Sequence, residues 1–539
     1  MKKIIFLLLL NLLLFSCARV GAPNGGTRDS LAPKFLGSNI DTTRLNVSRT
    51  VKELRLDFDE YVMLKDFNKN FNVSPPIKKI KKVIPSNLAN KYVLIQWEDT
   101  LQANTTYNFN FGNAIVDNNE SNPLPYFNFA FSTGDKIDDL FVSGTVKDAM
   151  TLIKENQTAK DNKMVVGLYK AGENLDYKQK PDYITKVDEE NYFELNFLPK
   201  GEFVIIAFDD ENQNSVYDAG KEKVSFLKEK ITLDSTSVRG LKLKLYPSKK
   251  VVKYKESKAI NGGLLMTFEG NPETVDIKSL SEDLKDFKVT HAKRSDSVNI
   301  WFDAEKSNLG GTVSKQLKLS YFTPTISDTI SVSYKAVKDE FKLSNEAGNL
   351  IAPENNFVIN TSLPIENLNT SSWKLESDSI AQDFTAKISE KNPFKILVNS
   401  SFKPTKKYVL TIPKETVSSY YSSNDKSFQF QFEIDKPENY GSFTAVIKNK
   451  PTAKFWVELT NEKGEILYSQ FTNASEVSFK NLKPATYIAR IRVDNNGNGF
   501  WDEADFAQNI AAEDVYIFEK EINVRPLWEI KEDWELTNH

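Results

Sequence analysis

The sequence predicts an all-β fold built from several β-sandwiches in tandem, and three observations carry that reading. The palette suits strands, with 36 Phe and 20 Tyr and recurrent Thr, Val and Ile. Apolar residues alternate with polar ones at period two in Leu54, Leu56, Phe58, in Phe127, Phe129, Phe131 and in Phe428, Phe430, Phe432. That spacing turns one side of each run to a core and the other to water. Turn-forming clusters such as residues 117–123 (DNNESNP) and Asn261-Gly262-Gly263 separate the runs, as many short strands in sandwiches require. At 539 residues the chain is too long for one core, and about three to five domains are expected.

The first residues are of another kind. MKKIIFLLLLNLLLFSCARVGAPNGG opens with the positive charges of Lys2 and Lys3. An apolar run over residues 4–15 follows, interrupted by Asn11 and too short to span a bilayer. Leu14-Phe15-Ser16-Cys17 resembles a bacterial lipobox, in which a small residue precedes the cysteine that is acylated and becomes the new N-terminus. The resemblance implies a signal peptide over 1–16, lipidation at Cys17 (palmitate-type chains) and a flexible tether over 17–32. Cys17 is the only cysteine, so no internal disulfide and no disulfide-linked partner is expected. Several acyl chains hold a protein durably to a membrane. Ala18 stands where inner-membrane-retained lipoproteins carry Asp, which implies the outer membrane. No acidic run follows over 18–22, which implies its periplasmic face.

The body divides into five parts. Residues 33–134 carry LDFDEYV (56–62), LQANTTY (101–107), GNAIVD (112–117) and FAFSTG (129–134). In that order these resemble the bacterial Ig-like domain first described in surface-layer proteins such as the SbsA type. Residues 357–435 echo the pattern, with FKPTKKY (402–408) where LQANTTY stood, and are read as a second Ig-like sandwich. Residues 139–247 and 440–527 form a repeat. A single offset of 284 places Leu482 on Leu198, Tyr487 on Phe203, Trp501 on Tyr217 and Asp502 on Asp218 without a gap. A strand following Gly144 or Gly441 opens each unit. The pattern resembles transthyretin-like, or carboxypeptidase-regulatory-like, β-sandwiches. Residues 252–355 read as a β domain of no recognisable family, with strands near 298–302, 317–322 and 330–334. Residues 528–539 are a C-terminal tail, whose WEIKEDW has the pattern of a last strand or of an aromatic docking patch.

The densest set of side-chain oxygens lies in the second repeat: Asp494, Asn496, Asn498, Gly499, Asp502, Asp505. Counted from Asp494, these occupy positions one, three, five, six, nine and twelve of an EF-hand-type loop, with the Phe500 carbonyl at seven. The preceding strand and the terminal Asp depart from the EF-hand pattern. The first repeat keeps Asp210, Asn212, Asn214 and Asp218, with Ser215 at the glycine place, Lys221 at twelve and Glu222 beside it. Calcium is the cofactor such loops would take, bracing the loop without catalysis. The alternative is a plain turn, because Asn, Asp and Gly tolerate φ > 0 and bond their own backbone.

Other chemistry is largely excluded. A net charge of −3 gives no basic field for nucleic acid. His291 and His539 are the only histidines, too few for a His-rich zinc site, and a triad would need His291 alone. The carboxylates of Asp57, Asp59 and Glu60 belong to the Ig-like strand pattern. Lys78, Lys79, Lys81 and Lys82 read as a solvated hairpin that protects a sheet edge. The sequence thus predicts a lipid-anchored envelope protein that binds, adheres or scaffolds without catalysis. Its membrane contact is the anchor, and its partner an envelope protein or a glycan. The alternatives are a glycan-binding or nutrient-uptake accessory, which needs coplanar exposed aromatics, and a hydrolase, which needs a cleft with two carboxylates.

Overall fold

Why the alternating runs form sandwiches is plain in a computed structural model, which describes residues 30–152, 163–172, 175–337 and 339–536. The signal peptide and Cys17 lie outside the described residues. Strands make nearly all the regular structure, arranged in chain order as five modules of two main sheets each, the fourth with an added two-stranded sheet of Asn367–Leu368 and Val417–Ser418.

In module one the strand Glu53–Leu64 buries Leu54, Leu56 and Phe58, while Arg55 and Asp57 pair in water at 2.8 Å. Phe109, Phe111, Phe129 and Phe131 close on them from the opposite sheet. Modules one and four share a device: the Tyr107 hydroxyl accepts from Gln102 N–H at 2.8 Å, and the Tyr408 hydroxyl from Lys403 N–H at 2.9 Å. Both are tyrosine corners of the kind found in Ig-like sandwiches. The echo between 101–107 and 402–408 is therefore structural. Lys81 and Lys82 lie exposed on Ile80–Ile84, an edge strand of module one.

Modules two and five have one topology. A sheet ordered Tyr183–Lys186, Met164–Lys170, Gly201–Asp209, Val224–Phe226 faces one ordered Tyr192–Leu198, Leu140–Asp148, Val238–Leu245. Module five repeats this with Ile466–Thr472, Phe455–Thr460, Ala485–Val493, Val515–Ile517 against Glu476–Leu482, Gly441–Lys448, Glu529–Glu535. In each, the last strand returns parallel to the first.

Three expectations change. Residues 528–536 form the last strand that WEIKEDW suggested and are not a separate tail: Glu529–Glu535 closes module five, and Trp534 is buried in its core. Module four begins earlier than residue 357, because Leu343–Asn345 and Leu350–Ile351 pair into its sheets, and Phe341, Leu343 and Ile351 fill its core. Gly144 and Gly441 are not equivalent. Gly441 pairs with Leu482, whereas Gly144 lies mid-strand opposite Phe193, the place of Ala445 opposite Val477. A bulge between Val238 and Leu241 swings the Leu241 carbonyl over Gly144, where a Cβ would lie 2.1 Å from that oxygen. Module five has no such bulge and holds alanine. Gly144→Ala is expected to destabilise module two by about 1–3 kcal/mol through overpacking; an unchanged urea midpoint would contradict this origin of the glycine.

The modules follow one another in sequence but are not strung out. Trp301 of module three joins the core of module four, its ring 5.9 Å from Phe394. Asn481 of module five donates to the Pro353 carbonyl at 2.8 Å. Residues 503–512 of module five then reach back to module two. There Phe506 and Ala504 are buried in one cluster with Val165, Ile206, Phe208 and Tyr217. Ala504 exchanges backbone bonds with Pro247 and Lys249 at 3.1 and 2.8 Å. Modules two to five therefore form a closed circuit.

Candidate functional site: the paired Asp/Asn loops

Both loops start where a long central strand runs out, at Asp210 after Gly201–Asp209 and at Asp494 after Ala485–Val493. The Asp494 carboxylate is buried and accepts from Asn498 N–H and Gly499 N–H, each at 3.0 Å. Asp210 accepts from Asn214 N–H and Ser215 N–H, each at 3.0 Å. The next bonds also repeat. Asn496 and Asn212 each accept from the N–H two residues on, at 3.0 Å. Their amides donate to Asp502 at 2.5 Å and to Asp218 at 2.7 Å. Asn498 and Asn214 accept from Phe500 N–H at 2.8 Å and Val216 N–H at 2.6 Å. The bend at position six is left-handed in both, with φ of 83° at Gly499 and 61° at Ser215. Ser215 carries that strain because no glycine relieves it.

Position twelve does not belong to this arrangement. Asp505 pairs through its backbone with Ile510, and its carboxylate accepts from Gln508 N–H at 3.2 Å. The acid beneath loop two is Glu513, buried, accepting from Asn496 N–H at 3.1 Å and Asp502 N–H at 2.9 Å. Glu222 does the same beneath loop one, for Glu211 N–H at 3.1 Å and Asp218 N–H at 2.9 Å. Glu222 follows Asp218 by four residues and Glu513 follows Asp502 by eleven. The difference is the inserted segment that carries Phe506. Sequence reasoning missed Glu513 because an ungapped offset ends at Asp502.

The loops differ in electrostatics. Burial pushes the Glu222 carboxyl up to about 7, against the pull of the Asp218 and Glu211 N–H groups, and burial likewise raises Glu513. Burial opposes ionisation of Asp502 too. The amides of Asn496 and Asn498 and the Arg294 guanidinium outweigh it, so its pKa lies below the usual carboxylate range. Arg294 comes from module three. Its Nη1 is 2.7 Å from Asp502 Oδ1, its other side engages Glu273, and its plane covers the Phe500 ring at 4.7 Å. Lys293 lies 5.0 Å from the same ring. Loop two is thus clamped by a cation that the protein supplies. Nothing comparable among the described contacts reaches Asp218.

A calcium ion would draw on Asp210, Asn212, Asn214, Asp218 and Glu222 in loop one. In loop two it would have to displace Arg294 from Asp502, so the residues of loop one fit a cation better. Among the described residues no group of three or more His, Cys, Asp or Glu is already gathered to hold a metal.

Outside the loops, His291 Nε2 lies 3.0 Å from the Ser295 carbonyl, within its own hairpin. A cavity of about 330 Å³ is lined by Glu282, Asp283, Asp286 and Asp303, with Lys285 and Lys306. Asp286 accepts from the Tyr421 hydroxyl at 3.4 Å, Asp303 caps Glu305 N–H at 3.0 Å, and Asp283 pairs with Lys315 at 3.5 Å. Three of its carboxylates therefore have structural partners.

With this geometry in hand, comparison with known proteins is informative at one end of the chain. Residues 29–133 match the family model of the bacterial Ig-like domain. Module one is thus an Ig-like β-sandwich by sequence pattern, by topology and by its tyrosine corner. No protein of curated function matches the chain. Among solved structures, domains 1–6 of the surface-layer protein SbsC align at 11% identity over 92% of this chain and 67% of that one, with a TM-score of 0.15. The Bacillus cereus major pilin subunit BcpA aligns at 12% identity over 74% of this chain and 99% of that one, with a TM-score of 0.13. At TM-scores this low neither overall shape nor role transfers.

Proposed function

We propose that the protein is a lipid-anchored, non-catalytic binding or scaffold protein of the Gram-negative envelope, held at the periplasmic face of the outer membrane through Cys17. The observation that carries this reading is the closed circuit of modules two to five, which joins consecutive sandwiches into one platform behind module one. Rigid platforms present surfaces at low ordering cost. The lipobox supplies the membrane attachment, and among the described residues no helix is long and apolar enough to cross a membrane. An envelope protein is the partner proposed. Metabolic labelling with an alkyne fatty acid is expected to tag the full chain, and Cys17→Ser is expected to abolish the tag and release the protein from membranes. An untagged, soluble wild type would end the proposal.

Calcium is the cofactor proposed for loop one. Its supports are the recurrent spacing and the like-charge effect of Asp210 and Asp218 on Glu222, which a divalent cation would relieve. A ligand bound only to the folded state stabilises by RT ln(1 + [L]/Kd), about 2.7 kcal/mol at a hundredfold excess over Kd. Millimolar calcium is therefore expected to raise Tm, and Asp210→Ala with Asp218→Ala to remove the rise. Glu222 also sets a pH dependence. Its folded pKa lies above its unfolded one, so its contribution to stability is full below about 4.5 and is lost as pH rises through about 7. Calcium, which needs the carboxylate, is expected to bind more tightly as pH passes 7. No shift in Tm, or an equal shift in the double variant, would retire the ion.

A further inference from the structure

Large exposed apolar side chains are not spread evenly over the described residues. Leu36, Leu88 and Tyr126 of module one are 67%, 80% and 70% exposed, and Leu31 at its start is 64% exposed. Each later module has at most one as exposed as Leu31, namely Val313 in module three, Ile380 in module four and Leu527 in module five. Such residues singly are ordinary, whereas several together mark a contact surface.

Those of module one gather at one end of it. Phe35, between Lys34 and Leu36, packs on Phe127 at 5.5 Å, and Phe127 follows Tyr126. Beside that pair, Lys34 N–H donates to Asp59 Oδ1 at 2.8 Å, and Lys91 Nζ donates to the Asp59 carbonyl at 3.2 Å. The same ammonium lies 5.6 Å from the ring of Tyr61, which is 56% exposed. Leu88 comes three residues before Lys91, in the turn joining Ile80–Ile84 to Asn90–Trp97.

The chain enters module one at this end and leaves by the other. Strand Thr106–Gly112 pairs Gly112 with Phe127 and Thr106 with Ser132. Beyond Ser132, Asp138 N–H donates to Thr106 Oγ1 at 3.0 Å, just before module two begins. The length of that strand separates entry from exit by about 20 Å. Cys17 stands thirteen residues before Ser30, a reach of at most about 45 Å. An acyl group on Cys17 therefore ties the entry end, and no other described part, directly to a bilayer. The side chains waiting there suit that surface: leucine enters the acyl boundary, and tyrosine sets its ring at headgroup level with its hydroxyl in water. Glu60 adjoins Tyr61, and Glu120 lies in the loop that Asn118 N–H ties to the Tyr61 carbonyl at 3.0 Å. The contact thus rests on apolar insertion and not on attraction to anionic headgroups.

We propose that the entry end of module one, through Leu36, Tyr61, Leu88 and Tyr126, inserts into the lipid surface that holds Cys17. The inference rests on the anchor at Cys17. Its consequence is a fixed direction, with the exit end of module one turned away from the bilayer.

The test uses the full acylated chain in vesicles of phosphatidylethanolamine and phosphatidylglycerol that carry spin-labelled headgroups. Bimane is placed at Leu88→Cys, Tyr126→Cys or Val313→Cys. Quenching at the first two is expected to exceed that at Val313→Cys by about threefold or more, since an interfacial side chain sits at the headgroup and acyl boundary. Leu36→Asp with Leu88→Asp is expected to lower the quenching at Tyr126→Cys by about half, because it removes two of the inserted groups. The comparison of the three single sites stands even if that variant folds poorly. Equal quenching at all three sites in a chain shown to be acylated overturns the proposal and leaves the anchor standing. A chain without an acyl group removes the anchor and the proposal together. Weak quenching at Leu88→Cys combined with shielding from aqueous iodide assigns the end to a protein partner, and overturns the proposal too.

Discussion

Glu458→Gln is expected to destabilise module five by about 3–5 kcal/mol, the cost of breaking a buried ion group by removing one member. Glu458 is fully buried on the side of its sheet facing away from the sandwich core, directly across from Arg490, which is 6% exposed. Arg490 donates to one carboxylate oxygen from Nε at 2.9 Å and from Nη2 at 2.7 Å. Arg492 donates to the other from Nε at 3.0 Å and from Nη2, and its guanidinium lies 5.8 Å from both the Trp456 and the Trp501 rings. One carboxylate thus satisfies two forked cations, and its loss leaves Arg490 charged, buried and unpaired. The pair is not a net stabiliser against an apolar alternative. Glu458→Leu combined with Arg490→Leu is therefore expected to recover most of the loss. The check is urea unfolding with constant m. A change under about 1 kcal/mol in Glu458→Gln would show that water reaches the site.

Phe506→Ala is expected to cost about 3–5 kcal/mol and to loosen module five from module two. The ring is 5% exposed although it sits on a loop. It is held by Tyr177, Phe226 and Tyr217 of module two at centroid distances of 4.4, 5.1 and 5.9 Å. These are contacts between modules, so the loss is expected to appear as a separate early transition and as new protease cleavage over residues 503–512. Arg294→Ala acts on a different contact, between modules three and five, by freeing Asp502. Asp502 stays partly solvated, so this effect is expected to be smaller than that of Phe506→Ala. A Phe506→Ala protein with unchanged cooperativity and cleavage pattern would remove the closed circuit.

Period-two runs made the sandwiches legible because alternation is a local signal. The offset of 284 made the two loops legible because it preserves Asp, Asn, Asn and Asp at positions one, three, five and nine. It ran out where module five inserts seven residues more than module two. Three differences between the copies follow there: Glu513 in place of Glu222, Asp505 turned to Gln508, and Phe506 buried in another module. Gly144 was misread for a similar reason, since its need arises from a bulge in a strand about a hundred residues later. Arg294 lies more than two hundred residues from Asp502, and no local pattern links them. Sequence periodicity reports which face is buried but not which module buries it.

The most direct test of the closed circuit is a distance between labels at Lys228→Cys and Asn509→Cys, in a chain carrying Cys17→Ser. The Asn509 side-chain amide donates to the Lys228 carbonyl at 3.2 Å, so the two positions are in contact although 281 residues separate them. A single narrow population at the short limit of spin-label spectroscopy is the predicted result. A broad distribution at long distances, as for beads on a flexible string, would contradict it.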